Sequence, residues 1–227
     1  MKSLHMQSIK PSGNQQKSSV KIMEWSLRFL QKTICSLSIN NSMAQSKYMK
    51  AVQKAAKGRP KSTQWYREKI REFGTPKAMD LIRDGKQATR PFFGRMNMFI
   101  YAPKFGKTLP YYDTFPLVLP LERYSDGFLG INLHYLPIPL RIALLDRLVD
   151  FSNNEKFDES TILNLSYSAV KSIRAVKPTI HKYLSGYVRS RFRRIDADEF
   201  VIATLLPVQR FKKATASQVY SDSRRMI

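Results

Sequence analysis

The chain has 227 residues, 43 % of them hydrophobic, enough for one domain with a real core flanked by tails. Lys and Arg number 39 against 17 Asp and Glu, a formal charge of +22 that points to a polyanionic partner and says nothing of fold. The single cysteine, Cys35, excludes an intramolecular disulfide and a cysteine-rich zinc site, and no run reaches the roughly 18 apolar residues of a membrane span.

Residues 1–60 read as a basic, largely disordered tail: eleven Lys and Arg against one acid, Glu24, and a start rich in Ser, Gln and Lys. Within it "IMEWSLRFLQKTICSLSI" is interrupted by Glu24, Arg28 and Lys32, which is wrong for a secretory signal. Met43 opens "MAQSKYMKAVQKAAKGRPKS", which reads as a natural protein start; residues 1–42 are then either an upstream extension of the reading frame or a true basic tail. A cationic helix is expected over 44–58 and is broken at Gly58-Arg59-Pro60. Ser62-Thr63 caps a second helix, "QWYREKIREF", anchored by Trp65, Ile70 and Phe73, with Arg67, Lys69 and Arg71 facing solvent. A third short helix runs over 77–84 and stops at Gly85.

The centre reads as strands. Arg95–Tyr101 alternates bulky residues; "FPLVLPLERYS" is a second strand whose Pro116 and Pro120 suggest an edge or a bulge; Asp126-Gly127 marks a hairpin into a third, "FLGINLHYL", where Gly130 signals a bulge or a close backbone approach. A helix follows from Pro139, with Ile142, Leu145, Leu148 and Val149 on one face and Arg141 elsewhere. Asp158–Thr161 is expected as a turn or cap. "TILNLSY" is ambiguous between strand and helix, "AVKSIRAV" and "PTIHKYLSGYVRSRF" read as helical, and Asp196–Glu199 caps "EFVIATLL" before Pro207. Thr215–Ile227 reads as a polar tail. The expected fold class is α+β: a small antiparallel sheet of three or more strands with a central hairpin, packed by helices, forming one domain over 61–213 between tails at 1–60 and 214–227.

Chemistry is sparse. His134, beside Tyr135 in a strand, reads as structural. Asp113, Glu122 and Asp126 read as turn-formers and solvated charges rather than the carboxylate cluster a Mg²⁺-dependent nuclease needs. No HExxH, GxSxG or Cys pair occurs, and "APKFGKTLP" lacks the first glycine of a phosphate-binding loop. The expectation is no enzyme, no metal, no cofactor, no small-molecule substrate and no membrane partner.

Charge is uneven, and the uneven parts are the better signal. Residues 111–150 carry three Lys and Arg against five acids, whereas every other region is basic. Two segments suit phosphate contacts: the arm "KAAKGRPKS", with Lys54, Lys57, Arg59 and Lys61, and "YVRSRFRRI", with Arg189, Arg191, Arg193 and Arg194. If the second is extended, Arg189, Arg191 and Arg193 share one face; if helical, the arginines spread around the axis. Arg67 joins them as a candidate phosphate contact, and Tyr111 and Tyr112 are candidates for docking another protein.

Four stretches, "STQWYREKIRE", "MFIYAPKFGKTLPYYDTFPLVLPLERYSDGFLGINLHYLP", "VRSRFRRIDADEFVIATLLPVQRF" and "VYSDSRRM", resemble the DNA end protector family of T-even-like tailed phages, minor head proteins of the virion. The resemblance spans 43–227 and leaves residues 1–42 outside the family pattern. It implies a virion protein, present in host cytoplasm during infection, that sits on the ends of packaged linear duplex DNA. Such a protein shields those ends from host exonuclease and aids head completion, with head or neck proteins as further partners. The alternative is a structural neck or baseplate-hub protein without end specificity. The resemblance carries no catalytic residues.

Overall fold

The computed structural model describes residues 47–55, 62–151 and 162–227. Residues 1–46, the arm residues Lys57, Arg59 and Lys61, and the turn expected at Asp158–Thr161 lie outside the described residues. The helices are α1 (Lys47–Ala55), α2 (Thr63–Phe73), α3 (Ala78–Arg83), α4 (Ile138–Phe151), α5 (Tyr167–Val170), α6 (Phe200–Leu205) and α7 (Ala216–Met226). The strands are β1 (Gln87–Ala88), β2 (Met96–Met98), β3 (Tyr112–Asp113), β4 (Leu117–Arg123), β5 (Gly127–Asn132), β6 (Ile180–Leu184), β7 (Phe192–Ile195) and β8 (Phe211–Lys212). Six of them form one antiparallel sheet in the order β1-β7-β2-β4-β5-β6, and β3 pairs with β8 in a separate ribbon. The fold is α+β.

The hairpin forms where Asp126-Gly127 places it: Arg123 pairs with Phe128, and Tyr124 and Gly127 exchange backbone bonds around Ser125-Asp126. Gly127 is required by crowding. A Cβ there would lie 1.9 Å from the Tyr183 carbonyl oxygen, because β6 passes directly against it. Pro120 is tolerated in what is an interior strand, not an edge, because β2 pairs only with Leu117 and Val118. On the β5 side the register shifts between Pro120 and Glu122, and Leu121 is the extra, core-facing residue of a bulge. Gly130 sits opposite Pro120, where a Cβ would meet Val118 at 2.4 Å.

The two faces of the sheet bury different cores. Met96, Met98, Leu117, Leu119, Ile131 and Ile195 meet the apolar sides of α4 and α6, including Leu144, Leu148, Phe200 and Ile202. Val118, Phe128, Tyr183 and Phe192 point the other way and close on Phe99 and Tyr101 as a small aromatic cluster. Phe99 is its centre, with ring centroids 4.8 Å from Phe192 and 5.3 Å from Tyr183.

Five expectations are corrected. Residues 180–184, read as helix, form β6; only an extended chain brings Tyr183 into stacking contact with Phe128 at 5.3 Å. Residues 133–135, read as strand, form a 3-10 turn that Asn132 caps by accepting from the His134 N–H. Arg141, placed off the apolar face, is fully buried: its Nε donates to the Leu136 carbonyl (2.6 Å) and Nη2 to the Tyr220 hydroxyl (2.8 Å), tying the start of α4 to α7. Thr215–Ile227, read as a tail, forms α7: Thr215 caps it by accepting from the Gln218 N–H, Val219 is buried, and Ser223 donates to the Tyr135 carbonyl at 2.7 Å. Phe73 is 43 % exposed, while Tyr66, passed over in the sequence, is the buried aromatic of α2. Ser62 is the α2 cap as expected, accepting from the Trp65 N–H, a device worth about 1 kcal/mol.

Candidate nucleic-acid interface

The aromatic cluster on the outer face of the sheet is roofed by two loops. Phe92 and Phe93 come from the loop before β2, and Tyr187 and Val188 from the turn after β6. The first loop is fastened by Asn97, fully buried in β2. Its side chain accepts from the Phe92 N–H and donates to the Phe92 and Arg95 carbonyls, all at 2.8–2.9 Å. The second is fastened by the Arg189 N–H to the Ile100 carbonyl (2.8 Å), the Ala102 N–H to the Tyr187 carbonyl (3.1 Å), and the Ser190 hydroxyl accepting from the Ile100 N–H (2.8 Å).

On this roof, cations lie over rings. Arg123 sits 4.9 Å above Phe93, Arg194 5.7 Å above Phe92, and Arg189 5.7 Å above Tyr187. Off the roof, Lys182 sits 5.1 Å above Tyr124 at the hairpin tip, and Lys104 5.4 Å above Phe105. Each contact is worth about 0.5–1 kcal/mol at an exposed site and orients a long side chain that would otherwise wander. A guanidinium over a ring face can still turn its N–H edge to phosphate oxygens, although Arg194 already gives Nε and Nη2 to Asp196. Arg90 and Arg123 share a hollow of about 230 Å³ with Phe93, Tyr124 and Ser185, a concave cationic spot on the same side.

The sequence-derived candidates divide. Arg189 and Arg191 are exposed, and Arg194 is on the roof but also bound to Asp196, Nε to Oδ1 at 2.7 Å. Arg193 is corrected: its side chain is 0 % exposed and donates through Nη2 to both Glu199 oxygens at 3.1 and 3.2 Å. The strand begins only at Phe192, so alternation turns Phe192 and Arg194 outward and Arg193 toward the helices. Lys54 is exposed on α1, Arg67 is half-buried on α2, and Lys57, Arg59 and Lys61 lie outside the described residues. Tyr111 and Tyr112 are half-buried and line a separate cleft of about 700 Å³.

Arg123 was hidden by the negative count over 111–150; Arg90 and Lys182 lie in basic segments where no sequence pattern set them apart. Among the five acids behind that count, Asp113, Glu122 and Asp126 have these partners in the fold. Asp113 is buried and not solvated: it accepts from the Phe115 and Arg210 N–H groups at 3.0 Å and meets His134 Nδ1 at 2.8 Å. Burial would raise its pKa, but His134 and the two backbone donors outweigh that and hold it below the usual carboxylate value. His134 is pushed down by burial and so stays neutral near pH 7. Glu122 accepts from the Tyr124 hydroxyl and the Tyr167 N–H, and Asp126 pairs with Lys182 at 2.9 Å, which lowers its pKa. The three carboxylates therefore do not converge, and among the described residues no group of three or more His, Cys, Asp or Glu is placed to hold a metal ion.

Behind the roof lies a second charge cluster. Asp196, expected to cap a helix, instead serves Lys86 (3.8 Å), Arg95 (3.6 Å) and Arg194. Next to it, Glu199 is pushed up to about 7, burial outweighing the attraction of Arg193. Among the described residues no helix is long and apolar enough to cross a membrane.

No curated protein and no solved structure matches the chain. A family model, described as the phage T4 terminal DNA protecting protein, matches residues 4–224. The match takes in most of residues 1–42, so the expectation that this segment falls outside the family pattern is overturned. With all but a few terminal residues inside the match, the chain belongs to the phage T4 terminal DNA protecting protein family.

Proposed function

We propose that this phage protein binds the ends of linear double-stranded DNA and shields them from exonuclease. The observation that carries the reading is the row of cations seated on aromatic rings, Arg123, Arg189 and Arg194 over the outer cluster, in a chain of the terminal DNA protecting family. Contact is through phosphates: Arg189 and Arg191 reach out from the roof, and Lys54, Lys57, Arg59, Lys61 and Arg67 add sequence-independent attraction from the N-terminal side. With about six phosphates engaged, the log–log dependence of affinity on salt has a slope of roughly −5. The role requires no bond to be broken and no cofactor. In the infected cell the protein acts on DNA termini, and in the virion it completes the filled head beside head or neck proteins.

The test is digestion of linear duplex DNA by a processive exonuclease, with and without the protein at matched occupancy, and with nicked circular DNA of equal length as competitor. Protection that the circle barely removes is the expected result. Equal competition by the circle would reduce the protein to a general DNA binder.

A further inference from the structure

The cleft of about 700 Å³ runs along the edge strand β6 and shares Tyr101 and Tyr183 with the outer aromatic cluster, and no phosphate contact proposed above uses it. Its volume falls in the range of sites that enclose small organic ligands. Its walls mix aromatic rings with Leu109, Ile180, Leu184 and prolines, and the rings are gathered toward one part of it. Tyr135 and His181 lie 4.0 Å apart, Tyr111 is 6.1 Å from Tyr135, and Phe105 stands at the mouth, 59 % exposed. Burial pushes His181 down to about 4, so its ring is neutral near pH 7 and stacks as an uncharged aromatic.

The mouth is cationic. Lys104 sits over Phe105 on one side and Lys182 lines the other. Lys182 also reaches Asp126 and Tyr124 at the hairpin tip, one residue from Arg123. Lys104 and Lys182 thus both line the cleft, and Lys182 links it to the hairpin tip that carries Arg123. The acids nearby are already engaged: Asp126 by Lys182, Asp113 by His134, and Asp222 by the Tyr111 hydroxyl.

We propose that this cleft receives unpaired terminal nucleotides of the DNA end, stacking their bases on Phe105 and Tyr111, with Tyr135 buried behind them as support, while Lys104 and Lys182 hold the flanking phosphates. The inference rests on the DNA-end reading above and says what distinguishes an end from interior duplex: only an end can supply an unstacked base. Flat faces suit every base alike, so the recognition is of the end and not of its sequence. An exonuclease that needs the terminal nucleotide is thereby denied it.

The test uses the full chain and a duplex closed by a loop at one end, its open end either blunt or carrying a three-nucleotide extension with 2-aminopurine. Nicked circular DNA is the probe without ends. The extension is expected to bind more tightly than the blunt end, with its 2-aminopurine fluorescence quenched by stacking. Phe105→Ala with Tyr111→Ala is expected to lose that preference by about 5- to 100-fold, with affinity for the nicked circle unchanged. Tyr111→Phe, which keeps the ring and loses the Asp222 bond, is expected to retain it. A base that stays bright while the DNA is bound would overturn the inference, as a cleft built for a head or neck protein would give. Loss of all DNA binding in the unmodified protein would instead sink the DNA-end reading itself, and this inference with it.

Discussion

Two arginines four positions apart should fail in opposite ways. Arg193 is fully buried against Glu199, with Gly85 packed so closely on its stem that a Cβ there would lie 2.3 Å from Nε. Arg189 is exposed and lies over Tyr187. Removing one partner of a buried ion pair costs about 3–5 kcal/mol, because the other charge is left uncompensated. At about 2–4 °C per kcal/mol for a chain of this size, Arg193→Ala should lower Tm by roughly 6–20 °C. The loss should be larger at pH 8 than at pH 5.5, since at the lower pH Glu199 can take up a proton and escape its isolation. DNA affinity of the folded variant should be unchanged. Arg189→Ala should move stability by no more than about 0.5 kcal/mol. It should weaken DNA binding and flatten the salt slope by about 1. Thermal melts followed by circular dichroism, with fluorescence anisotropy titrations at several salt concentrations well below Tm, read both quantities. An Arg193→Ala protein that melts with the parent and loses DNA affinity as Arg189→Ala does would refute the assignment of the two faces.

Glu199 holds its proton more tightly folded than unfolded, its pKa rising from 4.5 to about 7. Between those values the folded state binds more protons, so its contribution to stability falls as pH rises from about 4.5 to about 7. Glu199→Gln should remove that slope from urea midpoints measured across the window. Gly127→Ala should cost about 1–3 kcal/mol or more by driving a methyl into the Tyr183 carbonyl. Amide exchange in β6 should accelerate ahead of the rest of the sheet.

The parts of the fold legible in the sequence are those set by local chemistry: the Ser62 cap, the Asp126-Gly127 turn, the crowding at Gly130 and the Pro120 bulge. Residues 180–184 and 216–226 were misread because their local preference was overruled by neighbours distant in sequence. Tyr183 is drawn extended by Phe99 and Phe128, and the Thr215–Ile227 segment is helical because Val219 and Ser223 dock beside Tyr135. The candidate interface was half legible. The arginine-rich run at 189–194 was visible, but which of its members face outward depends on where β7 begins. Arg123 was invisible to a count of charge, because nothing in the sequence says which acids are already paired inside the fold, and Lys182 was obscured by reading its strand as a helix.

The strand order has a temporal meaning. β7 slots between β1 and β2, pairing Gln87 with Arg193 and Met96 with Ile195. About a hundred residues separate those partners, so during synthesis β1 and β2 leave the ribosome well before the strand that will join them. Pairings so far apart in sequence are slow to close. Arg189, Arg191 and Arg194 travel with that late strand, and the loop that carries Tyr187 is fastened to Ile100 and Ala102 only when it arrives. The phosphate contacts proposed above would therefore be complete only once β7 has closed the sheet. Until then, Phe92 waits without the guanidinium that Arg194 sets over its ring.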